Sequence, residues 1–205
     1  ECPYDAYVVI KNGKLISGVI DKNSIGAEKS ESILHRIIKD YGTEAGRTFL
    51  NKISKILTRF ITMRGFSFSY DELDLSPKAK KEIWQTIKHA EKRVAAFTKQ
   101  LRKGTLQRLP GQTLEDSFEI YVMNELAKAR TKAGDIADAD LSMDNAGVVM
   151  TRSGARGSTI NIGQMAACLG QQSVRGKRIM RGYLNRALPH FNIGDASPKA
   201  RGFVY

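Results

Sequence analysis

Residues 152–186 combine side chains that could bind an anion. This stretch contains seven Lys or Arg and no Asp or Glu. Within it, Gly154 and Gly157 flank Ala155 and Arg156, and glycines at this spacing permit a tight turn with positive φ at little cost. Such a turn would fix the direction of the Arg156 guanidinium, a bidentate donor suited to phosphate. The pattern is neither a P-loop nor a dinucleotide-binding fingerprint, so the residues alone favour a structural turn over a phosphate site.

Polar and basic side chains continue beyond this turn. Asn161 is predicted to cap a helix over residues 162–169, and Cys168 is predicted to be a small buried residue without a reactive role. Gly170 ends that helix. Residues 171–173, Gln-Gln-Ser, follow it, and for them a binding role and simple exposure to solvent fit equally well. A basic cluster comes directly afterwards, formed by Arg175, Lys177 and Arg178.

No complete catalytic machinery is recognisable in the sequence. His89 and His190 have no companions at ligand spacing, and no nucleophile–base arrangement or acid–base pair stands out. The two cysteines, Cys2 and Cys168, form no CxxC pair, which argues against a zinc site or a disulfide framework and favours reduced thiols in the cytoplasm. The sequence therefore predicts a binding surface.

The charge of the chain points to anionic partners. The net charge is +12 and the calculated isoelectric point is about 9.8, which favours nucleic acid, nucleotides or acidic protein surfaces; a basic protein without such a partner is the alternative. No apolar run is long enough to span a membrane. The chain begins at Glu1 without Met and ends at Tyr205 without a polar tail, so we expect a fragment of a longer protein.

The first part of the chain predicts elements that would support such a surface. Apolar runs on both sides of Asn12-Gly13 predict a β-hairpin, which we expect to belong to the core sheet. A helix is predicted from residue 33 to Gly42. A second, longer helix, with one apolar stripe, is predicted from Thr43 to Gly65.

Two long helices are predicted in the middle of the chain. Ser76-Pro77 is a strong helix start, and this helix is predicted to end near Gly104. Thr113 begins a capping box, and the second helix is predicted to end near Lys132, before Gly134. A short connection makes the two an antiparallel hairpin. Residues 78–108 contain ten Lys or Arg against two Glu, an imbalance that suggests an electrostatic role. Residues 135–145 are predicted as an acidic loop and residues 147–151 as a strand that leads into the candidate anion-binding turn.

Several longer motifs carry a specific resemblance. Residues 154–179, GARGSTINIGQMAACLGQQSVRGKRI, are followed by RALPHF at 186–191 and SPKARGFV at 197–204. These motifs resemble the largest subunit of cellular multi-subunit RNA polymerase, and RGKR at 175–178 and ARGF at 200–203 are most similar to the archaeal form. The resemblance covers the whole chain, including PGQT at 110–113 and ARTKAG at 129–134.

The resemblance implies a fold class and a division of the chain. The expected fold is α+β and predominantly helical, a mixed domain of a small sheet plus helices with an inserted antiparallel helical hairpin. Residues 1–72 would form the first part of the pore region, 73–145 the funnel hairpin, and 146–205 the second part of the pore, ending just before the bridge helix. These regions line the secondary channel, where nucleotides enter, the 3′ end of backtracked RNA is extruded and transcript-cleavage factors dock.

The resemblance also implies roles for individual residues. Arg156 matches a position that contacts the triphosphate of the incoming nucleotide. Six further residues match positions packed behind the bridge helix and the trigger loop. They are Arg130, Asn161, Gln164, Gln171, Gln172 and Ser173. Arg175, Lys177 and Arg178 would form a basic channel surface.

One departure from the family pattern limits the expected activity. The metal-binding motif Asn-Ala-Asp-Phe-Asp-Gly-Asp is absent from the sequence. The resemblance therefore implies that Mg²⁺ is bound by residues elsewhere in the whole enzyme, that this chain carries no cofactor, and that it is catalytically inactive alone. The implied partners are other polymerase subunits, DNA, RNA, nucleoside triphosphates and a cleavage factor, with no membrane.

Two other functions remain open. The first is an autonomous basic module that binds nucleic acid, which the charge alone supports. The second is a docking surface for regulatory proteins on the helical hairpin over residues 76–134, which is compatible with the polymerase role.

Overall fold

The computed structural model describes residues 7–26 and 28–205. Cys2 lies outside the described residues. The contacts divide the chain into two units, each discontinuous in sequence. The first comprises Glu1–Ser69 and Val149–Ser158, and the second comprises Tyr70–Val148 and Thr159–Tyr205. These boundaries differ from the division at residues 72 and 145, which follows functional regions of the family and stays a prediction.

The first unit begins with the predicted β-hairpin. Strands β1 (Val9–Lys11) and β2 (Lys14–Ser17) are antiparallel, and Asn12 and Gly13 join them with φ angles of 51° and 74°. Two positive φ angles are the signature of a type I′ turn, which suits the twist of a hairpin. The expectation of a core sheet is wrong, because the apolar side chains of this two-stranded sheet are exposed.

Among the described residues of the first unit, three helices follow the hairpin. Helix α1 covers Lys22–Ile25, α2 covers Ile33–Tyr41 and α3 covers Thr43–Arg64. The glycines predicted to end α2 and α3 do so. A Cβ on Gly46 would lie 2.6 Å from Cγ1 of Ile38, so this glycine lets α2 and α3 pack closely. The apolar stripe of α3 is exposed in the structure, most clearly at Ile56, Leu57, Phe60 and Ile61.

The second unit is built on two long antiparallel helices. Helix α4 covers Pro77–Lys103 and α5 covers Leu114–Asp140. At one end, Ser76 donates from its backbone N and from Oγ to the carboxylate of Asp140, both at 2.7 Å. The helices bury a shared apolar core that gives the unit its own interior. Its larger members on these two helices are Ile83, Ile87, Val94, Phe118, Val122 and Leu126.

Helix α5 is longer than predicted. It continues past Gly134 to Asp140, so the predicted end near Lys132 is wrong, and the loop predicted over residues 135–145 is restricted to residues 141–145. Gly134 is where helix α7 (Thr159–Ala166) crosses α5, and a Cβ on Gly163 of α7 would lie 2.9 Å from Cα of Gly134. Gly163 therefore serves the close packing of the two backbones, whereas Gly134 lies inside α5 and does not end it.

Residues 147–151 form a helix instead of the predicted strand. Helix α6 (Ala146–Arg152) begins after Asn145, whose Oδ1 accepts from the backbone N of Val148 at 3.1 Å. The backbone N of Gly147 donates to the Glu72 carboxylate at 3.3 Å. These bonds satisfy donors at the start of a helix, and the short apolar run did not indicate them.

Short strands complete the second unit. Strand β3 (Gly170–Gln171) pairs with β6 (Phe203–Val204), and β4 (Ser173–Val174) pairs with β5 (Lys177–Arg178), both antiparallel. A 3₁₀ turn over Lys199–Arg201 precedes β6. About 56% of the chain is helical and the sheets are small, which confirms a predominantly helical α+β fold. Among the described residues, no helix has the length and apolar character needed to cross a membrane.

Candidate functional site

The turn that carries Arg156 has a well-defined backbone. Gly154 and Gly157 have φ angles of 73° and 76°, as the spacing predicted. The backbone N of Arg156 donates to the carbonyl of Met150 at 3.3 Å, and the backbone N of Lys22 donates to Ser153 O at 3.1 Å. The turn is thus tied to Met150, near the end of α6, and to α1, and all of these residues lie in the first unit.

The side chain of Arg156 is available for a ligand. It is exposed, and within residues 7–26 and 28–205 its guanidinium has no hydrogen bond or ion pair. A fixed backbone with an unpaired guanidinium is an arrangement that can receive a phosphate group without first breaking an internal contact. Arg156 belongs to the first unit, whereas the other candidate residues belong to the second.

In the second unit, Arg130 and Gln164 share one cleft. They line it together with Gly134, Ile160 and Gly163, where α5 and α7 cross. The aliphatic part of Arg130 lies on Gly170, whose φ is 90°, and a Cβ there would come within 2.6 Å of Arg130 Cδ. Glycine at the start of β3 is therefore needed for Arg130 to keep this position.

The two glutamines have different surroundings. Nε2 of Gln171 donates to the carbonyls of Arg201 and Gln172, both at 2.7 Å, and its Oε1 is buried without a hydrogen bond in the described part of the chain. Gln172 donates from its backbone N to Gly202 O at 2.8 Å, and its side chain is exposed, as is Ser173. Gln171 thus stabilises the local fold, whereas Gln172 and Ser173 face outward.

Asn161 is not a helix cap. Helix α7 begins at Thr159, three residues before the predicted start at residue 162, so Asn161 lies in its first turn and is exposed. Its neighbour one turn on, Gln164, is half-buried. The first turn of α7 thus presents Asn161 at the surface beside the cleft that Gln164 lines.

The basic cluster forms the tip and one strand of the β4–β5 hairpin. Arg175 and Gly176 join the strands with φ angles of 53° and 77°, again a type I′ turn, and Arg175 is exposed at the tip. Lys177 is exposed and pairs with Asp116 at 3.1 Å. The Thr113 hydroxyl and then the Lys177 ammonium lower the pKa of the Asp116 carboxyl by hydrogen bonding to its charged form.

Arg178 is not part of an exposed basic surface. Its side chain is 1% exposed and forms a bidentate ion pair with Glu119 of α5, with both N–O distances at 2.9 Å. Its Nη1 also donates to Ala196 O at 3.2 Å, and its guanidinium lies 5.6 Å from the centre of the Phe118 ring. The expectation for Arg178 is therefore corrected: its charge is neutralised inside the fold, and it fixes the hairpin to α5.

Glu119 is a residue that the sequence analysis missed. It lies 59 positions away from Arg178 in the sequence. Acidic residues are common near the start of a helix because they interact favourably with the helix dipole, so Glu119 did not stand out. Its role as the partner of a buried arginine has no local sequence signal.

The described residues do not fit a magnesium site. Among them, no group of three or more His, Cys, Asp or Glu could hold a metal ion, so no ligand is assigned. Cys168 is buried as predicted; its Sγ donates to Val204 O at 3.4 Å, and burial raises the pKa of the thiol.

Comparisons with known proteins cover the whole chain. Family models match "RNA polymerase Rpb1, domain 3" over residues 1–73 and "RNA polymerase Rpb1, domain 4" over residues 97–204. The chain is 52% identical to DNA-directed RNA polymerase subunit Rpo1N of Methanocaldococcus jannaschii, over 100% of this chain and 15% of that relative. It is 45% identical to Rpo1N of Sulfolobus acidocaldarius, over 99% of this chain and 23% of that relative.

A third relative gives the same result. Rpo1N of Halococcus morrhuae is 43% identical over 96% of this chain and 56% of that protein. The chain therefore spans well under two thirds of the length of these archaeal relatives. Because the domain 4 model alone matches more than half of the chain, the resemblance seen in the sequence is confirmed: the chain belongs to the family of RNA polymerase largest subunits, as a segment that contains Rpb1 domains 3 and 4.

Proposed function

We propose that this chain lines the path by which nucleotides enter a DNA-directed RNA polymerase, and that it acts only within the assembled enzyme. Similarity along the whole chain to archaeal subunits of that name supports the assignment. The nucleotidyl transfer and its Mg²⁺ would then depend on residues outside this chain, so the chain is inactive in isolation. Other polymerase subunits, DNA, RNA and nucleoside triphosphates are its partners in this proposal.

Arg156 carries the proposal. Its exposed guanidinium has no partner within the described residues, and its backbone is fixed by bonds to neighbouring elements. Within the polymerase, this side chain binds the triphosphate of the incoming nucleotide. A charge-assisted contact of this kind contributes about 1.5–3 kcal/mol, which corresponds to roughly tenfold to hundredfold in a rate or binding constant.

The test is nucleotide addition by a polymerase assembled with the full-length subunit. Arg156→Ala should lower kcat/KM for single-nucleotide addition by roughly tenfold to hundredfold, and Arg156→Lys should recover part of the loss because it keeps the charge but not the bidentate fork. Arg47→Ala is the matched control, because Arg47 is an exposed arginine of the same unit that pairs with Glu44. Arg156→Ala with the kinetics of the control would refute the role.

The second unit supplies the contacts to moving parts of the enzyme in this proposal. Residues 1–72 and 146–205 form the pore region, and residues 73–145 form the funnel.

Six residues of the second unit serve the contacts behind the bridge helix and the trigger loop. Arg130 and Gln164 share a cleft, and Asn161, Gln172 and Ser173 are exposed. Gln171 contributes by holding Gln172 in place. Arg175 and Lys177, without Arg178, supply the positive charge along the channel that receives the 3′ end of backtracked RNA.

A second function concerns helix α4. Its exposed face carries several basic side chains for which the described residues offer no ion pair, among them Lys92, Lys99 and Lys103. Such a face suits an acidic protein surface, and we assign it to docking of a transcript-cleavage factor.

The docking role has a separable test. Charge reversal at Lys92, Lys99 and Lys103 to Glu should weaken the factor's stimulation of RNA cleavage while nucleotide addition stays unchanged. The control is Lys80→Glu, because Lys80 already pairs with Asp74. Equal stimulation of the wild-type and triple-variant enzymes would exclude α4 as the docking surface.

The alternative of an autonomous nucleic-acid-binding module makes a different prediction. It requires that the 205-residue chain alone binds RNA or DNA tightly at physiological salt, with affinity that falls steeply as salt rises. Under the polymerase proposal, binding by the isolated chain is weak and non-specific. Titration of labelled RNA at two salt concentrations separates these outcomes.

A further inference from the structure

Five side chains connect helix α4 to the end of strand β6. Trp84, Lys88 and Glu91 lie on one face of α4 at helical spacing, and Tyr205 follows β6. The Tyr205 hydroxyl donates to Glu91 Oε1 at 2.6 Å, and Lys88 Nζ donates to Oε2 of the same carboxylate at 2.8 Å. Both oxygens of Glu91 therefore accept a hydrogen bond, one of them from the residue that follows β6.

The aromatic rings close the cluster. The Tyr205 ring meets the Trp84 ring edge-on, with 6.1 Å between their centres. The Lys199 Nζ atom lies 4.7 Å from the centre of the Tyr205 ring. Lys88 Nζ lies 4.6 Å from the centre of the Trp84 ring. Cation–π and edge-to-face contacts are directional, so they restrict the ring of Tyr205 as well as its hydroxyl.

The segment that this cluster holds is the support of the glutamine pair. Gln171 faces Phe203 in the β3–β6 sheet, and its Nε2 donates to Arg201 O. The backbone N of Gln172 donates to Gly202 O. The position of Gln172 is therefore set in part by the backbone of residues 201–204, which Tyr205 connects directly to α4; Gln172 Nε2 also donates to Gly170 O at 3.5 Å.

We propose that Tyr205 and Glu91 are positioning residues: their hydrogen bond holds β6 against α4 and thereby orients Gln172 toward the parts of the polymerase that it contacts. This inference rests on the proposed function, because it needs Gln172 to act in nucleotide addition. It also connects the basic helix α4 with the glutamine pair through a continuous set of contacts in one unit.

The test uses single-nucleotide addition by polymerase assembled with the full-length subunit, with rates normalised to active enzyme. Tyr205→Phe removes the hydroxyl and keeps the ring, and it should lower kcat by about threefold to tenfold, a range typical of residues that act through packed neighbours. KM for the nucleotide should change less than about twofold. Glu91→Ala should have the same effect. Tyr121→Phe is the matched control, since the Tyr121 hydroxyl has no hydrogen bond in the described ranges and its ring stacks on Phe97.

The decisive measurement is the double variant Tyr205→Phe/Gln172→Ala. If Tyr205 acts through Gln172, the double variant should be no slower than Gln172→Ala alone. The positioning role would be overturned if the losses of kcat in the two single variants multiplied in the double variant. It would also be overturned if Tyr205→Phe had the same kcat as the Tyr121→Phe control. In both cases Gln172→Ala and Arg156→Ala still test the proposed function separately. If Gln172→Ala and Arg156→Ala both leave addition unchanged, the proposed function and this inference fail together.

Discussion

The buried ion pair between Arg178 and Glu119 gives the sharpest stability prediction. Arg178→Met would leave the Glu119 carboxylate, whose side chain is only 13% exposed, without a counter-charge. Removing one partner of a buried pair costs about 3–5 kcal/mol, and the loss of the donor to Ala196 O adds about 1 kcal/mol. We therefore expect Arg178→Met to lower the free energy of unfolding of the second unit by about 4–6 kcal/mol, and Glu119→Leu to lower it by about 3–5 kcal/mol.

The double variant distinguishes a paired charge from a merely well-packed side chain. Arg178→Met/Glu119→Leu removes both charges and keeps apolar volume, so its free energy of unfolding should lie within about 2 kcal/mol of the wild-type value. The two single effects should therefore be far from additive. This follows because the main cost of each single change is the unpaired charge that it leaves behind.

The assay is urea unfolding of the chain, followed by tryptophan fluorescence. Trp84 is the only tryptophan and lies on α4, so its signal reports on the second unit. Lys177→Met is the matched control: Lys177 lies on the same hairpin and pairs with the same helix, but that pair is 64% and 36% exposed and should contribute only about 0–1 kcal/mol. The reasoning is refuted if Arg178→Met is no more destabilising than Lys177→Met.

Three further predictions use the same unfolding assay. Gly163→Ala should destabilise the second unit by about 1–3 kcal/mol, because its Cβ would lie 2.9 Å from Gly134 Cα. Gly134→Ala should be neutral or stabilising by up to about 1 kcal/mol, because its Cβ would lie 3.9 Å from Gly163 Cα. Equal effects of the two substitutions would contradict the packing argument. Ser76→Ala should cost about 1–2 kcal/mol, because Ser76 Oγ caps α4 and donates to Asp140, and an unchanged midpoint would exclude this. Partial burial opposes the charge of Glu91, but hydrogen bonds from Lys88 and Tyr205 outweigh it and lower the pKa of Glu91 below its ordinary 4.5. Its contribution to stability should therefore be complete above pH 4.5 and decline as the pH falls below it, and Glu91→Gln should show a shallower loss of stability over that acidic range than the wild type.

The local signals in the sequence predicted most of the helices. Caps such as Ser76, Thr113 and Gly104 act within a few residues of their own position, so the pattern contains the information that sets these boundaries. Gly134 misled the prediction because a glycine can end a helix or lie within one, and here α5 continues past it to Asp140. The start of α6 depends on Asn145 and Glu72, which are far apart in sequence.

The candidate site was predictable to a different degree. The turn at Arg156 followed from its two glycines, because positive φ angles are a local property. The burial of Arg178 did not follow, because a charged residue in a basic cluster is usually exposed and its partner lies on another element. The family resemblance gave Gln171 and Gln172 the same role, whereas the hydrogen bond from Gln171 to Arg201 and the exposure of Gln172 depend on how distant parts of the chain pack.

The exposed apolar stripe of α3 makes the solubility of this chain depend on ionic strength. Ile56, Leu57, Phe60 and Ile61 are each more than half exposed, and contiguous apolar side chains of this kind promote self-association. Three basic residues on the same helix are also exposed: Lys52, Lys55 and Arg59. Their positive charges oppose self-association, because two copies of the helix that approach each other repel. Salt screens this repulsion, so the chain should remain dispersed in dilute buffer and aggregate as ionic strength rises.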